Sequence, residues 1–96
     1  MLVVRSRYTR PMDEVDGLRD EHLAWISGHV DAGRVLAAGR QNPPVGGVIL
    51  MSGVAPTEVA AFFAQDPYVV GGVAEYEPIV EFNPGLAGPG LEPLLS

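Results

Sequence analysis

Two side chains in this chain have the chemistry of a proton-transfer pair, His22 and Asp66. An imidazole titrates close to neutrality and serves as a general base, or as an acid once protonated. A neighbouring carboxylate fixes its tautomer and orients the ring. His22 lies within Leu18-Arg19-Asp20-Glu21-His22-Leu23-Ala24-Trp25-Ile26, the middle of the only long helical pattern. At about 100° per residue, Val15, Leu18, His22, Trp25, Ile26, His29 and Val30 share one arc, with His22 near its centre. Arg19, Asp20, Ser27 and Asp31 form the opposite, solvated face. A histidine on an apolar stripe needs a hydrogen-bond partner, because an unpaired buried polar group costs roughly 1–3 kcal/mol. The plainer alternative is a satisfied core histidine. Asp66 precedes Pro67, where an aspartate commonly caps a turn. Both helices of the pattern below cover one sheet face, so contact between Asp66 and His22 is geometrically reasonable.

Other candidates are weaker. Arg5, Arg7 or Arg40 could hold an anionic substrate group, since guanidinium pairs bidentately with carboxylate. Tyr8 and Ser52 are possible substrate contacts or solvent-facing strand residues. His29 follows His22 by seven positions, about 10 Å along a helix axis, so the two cannot jointly hold one metal ion. No serine or cysteine nucleophile motif, phosphate loop or full metal set is present, and no cofactor is expected.

The elements that must position these groups are set by a short chain. Ninety-six residues make one domain with a modest core. A charged fraction of 19% is low for so small a protein, which suggests that part of the surface is hidden, most simply in a homodimer. The net charge is −6, with six arginines and no lysine, which argues against nonspecific nucleic-acid or anionic-membrane binding. There is no cysteine, no secretory leader pattern and no apolar run long enough to span a bilayer, so a cytoplasmic location is expected.

In order, residues 2–8 read as a strand, and a helix with acidic residues Asp13, Glu14 and Asp16 at its start runs to about Ala32, ahead of Gly33. Gly17 and Gly28 inside that helix suggest close packing on the sheet. Residues 34–40 form a second strand, Gln41-Asn42-Pro43-Pro44 a turn, and residues 48–52 a third strand. That third strand is apolar throughout, so both its faces require cover, one by helices and the other by a second copy of the chain. Pro56-Thr57-Glu58 opens a second helix with Val59, Phe62 and Phe63 as its stripe, ending at Gln65-Asp66-Pro67. A short irregular or one-turn segment follows over residues 68–72. Residues 73–82 alternate as a fourth strand, where Pro78 implies an edge or a bulge. Residues 83–96 form a Gly/Pro/Leu-rich tail outside the domain of residues 1–82, with Leu86, Leu91, Leu94 and Leu95 available to a partner. The order is βαββαβ, an α+β, ferredoxin-like arrangement with a four-stranded antiparallel sheet.

Arg19-x-x-His22-Leu23, then Gly33-Arg34-Val35-Leu36-x-x-Gly39, then Asp66-Pro67-Tyr68-x-x-x-Gly72-Val73 resembles the YciI-related (YCII) family over residues 2 to about 82. The resemblance implies a ferredoxin-like fold that dimerises through its sheets as a dimeric α/β barrel. It also implies an active site built on a histidine and an aspartate, here His22 and Asp66. Family members often carry Gly-Pro after the second strand, whereas this chain has Gly39-Arg40, so the pocket wall there differs.

The function expected is a cofactor-independent enzyme using a His22–Asp66 dyad for elimination, isomerisation or hydrolysis of a small organic molecule. The rival is a small-molecule binding or sensing dimer without turnover. A third reading is a structural dimer whose histidine is a satisfied core group.

Overall fold

The computed structural model describes residues 1–95, so Ser96 at the end of the expected tail lies outside the described residues. Strand β1 (Leu2–Tyr8) leads to α1 (Met12–Gly17) and α2 (Arg19–Asp31). Then come β2 (Val35–Arg40), β3 (Gly47–Met51), α3 (Val59–Phe63), α4 (Pro67–Val70) and β4 (Ala74–Glu81). The strands form one antiparallel sheet in the order β2-β3-β1-β4. This is the ferredoxin-like topology, in which each helical crossover returns the chain to a strand that does not neighbour the one it left.

Alternation along β1 divides the sheet into two faces. Leu2 and Val4 point inward with Val35, Ile49 and Met51, and pack against Ile26, Val59 and Phe63 from the helices. Each of these residues is almost completely buried. A second cluster of Val15, Tyr68, Val73 and Ala74 continues the core beneath α1 and α4. The opposite face carries Arg5 and Arg7 of β1, in register with Glu77 and Glu75 of β4. Val48 and Leu50 of β3 share that face, Val48 being 41% exposed. Hence the absence of alternation in β3: its outward positions are apolar as well as its inward ones.

Three local expectations change. The first helix is not continuous from Asp13 to Ala32, because Leu18, with φ −108° and ψ 2°, interrupts it. Gly17 just before it has poor helix propensity, while Leu18 packs half-buried against the second cluster, so tertiary packing sets the break. Nor do Gly17 and Gly28 mark close packing, since a Cβ on either would meet nothing within 4 Å. Close approaches occur instead at Gly46, where a Cβ would overlap the Ser6 carbonyl, and at Gly71, where it would meet the Leu18 side chain. The second helix also begins with a tight turn, Pro56–Glu58, in which the Glu58 carboxylate accepts the Ala55 N–H at 2.9 Å.

Strand β4 lies at a sheet edge, and its register against β1 shifts between Val3 and Val4, opposite Val80 and Pro78. Pro78 therefore sits at an edge-strand bulge, the position its missing donor permits. Beyond β4 the Phe82 N–H donates to the Met1 carbonyl at 2.9 Å, and the chain then leaves the sheet. One short turn, Glu92–Leu94, forms in the tail, where Leu86 is 95% exposed.

Candidate active site

Asp66 lies between α3 and α4 with extended backbone, which makes it the N-cap of α4. Pro67 at the first helical position favours that geometry on both sides: it disfavours helix at Asp66 and pre-sets its own φ. The cap bond is present, the Tyr68 N–H donating to Asp66 Oδ1 at 3.0 Å. An ordinary cap would be exposed, but Asp66 is completely buried. Its carboxylate also meets His22 Nδ1 at 2.8 Å through Oδ1, and accepts the Tyr76 hydroxyl at 2.5 Å through Oδ2.

The tautomer of His22 follows from this count. Asp66 already accepts a backbone N–H and a phenol, so its carboxylate is the acceptor and His22 Nδ1 carries the proton. Nε2 is left with its lone pair. No described residue bonds it, and it is not closed off from solvent. Burial, then the bond to Asp66, pushes the Tyr76 phenol well above the usual tyrosine range, so it remains a donor. The Tyr68 ring lies against His22 with centroids 3.9 Å apart and planes 5° from parallel. Burial also raises the Tyr68 pKa.

His22 opens onto a cavity of about 260 Å³ between α2, α4 and the inner sheet face. Tyr8, Arg40, Arg19, Tyr68 and Tyr76 line it, with Ile26 and Ile49 among its apolar walls. Arg40 donates from Nε to the Tyr8 hydroxyl at 3.1 Å and from Nη2 to Asp16 at 2.8 Å. Those hydrogen bonds raise its already high pKa, and its guanidinium also lies 5.6 Å from the Tyr8 ring centroid.

Of the residues expected from sequence, His22, Asp66, Tyr8 and Arg40 come together here. Arg5, Arg7 and Ser52 do not. Arg5 and Arg7 project from the opposite sheet face, where they pair with Glu77 at 2.7 Å and Glu75 at 2.8 Å. The reason is parity: Ser6 and Tyr8 point inward, so their odd-numbered neighbours cannot. Ser52 lies exposed just past the end of β3, its backbone N–H donating to the Arg34 carbonyl at 2.9 Å. His29 packs between Trp25 and Phe62, with ring centroids 4.7 and 4.5 Å away. Burial, and to a smaller extent Arg34, lowers its pKa. Among the described residues no group of three or more His, Asp or Glu side chains is placed to hold a metal ion.

Sequence reasoning put Arg19 on the opposite, solvated face, yet at about 100° per residue it falls about 60° from His22, on the cavity side; it missed Tyr76, Tyr68 and Ser6. A signal existed for two of them. Inward alternation on β1 selects Ser6, and pairing of β1 with β4 brings Tyr76 to the same face. Ser6 is 3% exposed and its Oγ accepts the Gly47 N–H at 2.7 Å, which ties β1 to the start of β3 beside the cavity.

The chain is similar in structure to 5-chloro-2-hydroxyhydroquinone dehydrochlorinase (TftG) from Burkholderia phenoliruptrix AC1100, solved in complex with 2,5-dihydroxybenzoquinone. The likeness has a TM-score of 0.64 at 20% identity, and covers 88% of this chain and 96% of that one. No curated protein sequence matches the chain significantly. The model of the YCII-related domain matches residues 1–83, nearly the whole of the folded region. With that extent of match, the chain belongs to the YCII-related domain family.

Proposed function

We propose that this protein is a cytoplasmic, cofactor-independent enzyme in which His22 moves a proton on a small organic molecule while Asp66 orients its ring. One observation carries the reading: a fully buried carboxylate holds Nδ1 of a histidine that lines a cavity and whose other nitrogen has no partner among the described residues. A core histidine satisfied at one nitrogen gains nothing from a cavity at the other. Nε2, with its lone pair free, can accept a proton, and the imidazolium so formed is stabilised by Asp66 and can return it. Elimination, isomerisation and water activation for hydrolysis all fit that cycle. The likeness to a dehydrochlorinase supports the first, because loss of HCl begins with or includes removal of a proton.

The test is His22→Gln against wild type, screened with hydroxylated and chlorinated quinols, lactones and hydroxy acids. Turnover by wild type that disappears in a folded variant supports the enzyme. Ligand binding without turnover by either protein supports the binding or sensing alternative. Independently, NMR titration of His22 in wild type and in Asp66→Asn should give different curves, and identical ones would argue against a dyad.

The same proposal includes a homodimer joined through the uncovered sheet face. Val48, Leu50 and Val80 make that face apolar, while the Arg5–Glu77 and Arg7–Glu75 pairs border it with matched charge. Sedimentation should give twice the chain mass, reduced to one by Val48→Glu.

A further inference from the structure

We propose that the cavity beside His22 takes a ring compound carrying one oxyanion, a phenolate or carboxylate, and that Arg19 is the residue that recognises its charge. The inference rests on the cavity being the functional site, but not on catalysis there. Arg5, Arg7 and Arg10 are paired with glutamates, at 2.7, 2.8 and 3.1 Å, and none of them lines the cavity. Arg40 lines it, but Asp16 already balances its charge at 2.8 Å. Arg19, an exposed residue at the open rim, lines it with no carboxylate partner among the described residues.

A cation at the cavity mouth with no described carboxylate partner is notable in a chain of net charge −6. Its field reaches the phenol of Tyr68, on which both Arg19 and Arg40 act to favour the ionised form. Meanwhile the Tyr8 oxygen accepts from Arg40, so its own proton is free to be donated. The aromatic faces of Tyr8 and Tyr68, edge-to-face at 6.2 Å, suit a flat ligand. An oxyanion here would gain a charged donor and a phenolic one, while His22 Nε2 is left free to face another part of the ring.

Calorimetric titration of the full chain with benzoate, 4-nitrophenolate and the neutral isostere benzamide tests this. Both anions should bind at least about 10-fold more tightly than benzamide, the worth of one charge-assisted hydrogen bond. Arg19→Met should abolish that preference. Arg34→Met, which removes an arginine outside the cavity with no ion pair among the described residues, should leave it intact and so control for net charge. Wild-type affinity for the anions, but not for benzamide, should fall with added salt, a readout that does not depend on any variant folding. Equal binding of benzoate and benzamide, an unchanged preference in folded Arg19→Met, or no binding of any probe at millimolar concentration would overturn the proposal. Binding is read without turnover, so failure of the proton-transfer reading leaves this outcome unchanged and the two failures are distinguishable.

Discussion

The imidazole of His22 lies flat on the ring of Tyr68, with centroids 3.9 Å apart and planes 5° from parallel. Tyr68 thus acts on the pair twice, through its ring face on His22 and through its backbone N–H on Asp66 Oδ1. A side-chain replacement removes only the first contact. Tyr68→Leu should cost about 0.5–1.5 kcal/mol beyond the loss of buried area and loosen the orientation of His22. The melting temperature should fall, and the His22 ring protons should lose the upfield shift that a stacked aromatic produces. Unchanged His22 shifts would show that the stack does not hold the ring in solution.

Asp66 accepts from three donors and is wholly buried. Asp66→Ala strands an imidazole N–H, a phenol and a backbone N–H, so destabilisation of at least about 2 kcal/mol is expected. Denaturant unfolding measures this directly. Asp66→Asn retains the shape but introduces an N–H₂ that must face either His22 or Tyr76, both donors in the native arrangement. It should therefore recover only part of the lost stability.

Alkali should unfold this protein partly through Tyr76. Its pKa in the folded state lies above the ordinary 10.0, because of burial and the bond to Asp66. Below pH 10 the phenol is protonated whether the chain is folded or not, and its full contribution to stability is present. Above pH 10 the unfolded chain ionises first, so stability is lost as pH rises toward the folded-state value. Tyr76→Phe should flatten that alkaline loss, as followed by stability measurements on either side of pH 10. It should also cost roughly 1 kcal/mol at neutral pH through the missing hydrogen bond.

Two glycines predict opposite outcomes for the same substitution. Gly46→Ala drives a methyl into the Ser6 carbonyl, and backbone cannot move aside as a side-chain end can. Destabilisation of about 1–3 kcal/mol is expected, with the cavity wall at Ser6 and Gly47 displaced. Gly28→Ala meets nothing within 4 Å in a regular helix and should stabilise by about 1 kcal/mol. Thermal melts of the two variants should bracket wild type.

Much of the architecture was legible from local chemistry. The strand patterns read over residues 2–8, 34–40, 48–52 and 73–82 fall within a residue or two of the observed bounds. The apolar arc around His22 indicated that this residue would need a partner. Asp66-Pro67 marked a cap. What local pattern could not supply was exposure: an aspartate capping a turn and an aspartate buried under two helices have the same neighbours in sequence.

The sequence by itself determined which residues could carry proton chemistry and the βαββαβ order that brings them to one sheet face, because helix and strand periods and proline geometry are local properties. Only the tertiary structure decided the break at Leu18, the third bond from Tyr76 to Asp66, and the removal of Arg5 and Arg7 to the far face. Those outcomes depend on strand register and on how helices settle against the sheet. A shift of one position would exchange the two faces of β1, and no pairwise spacing along the chain encodes which neighbour a strand will meet.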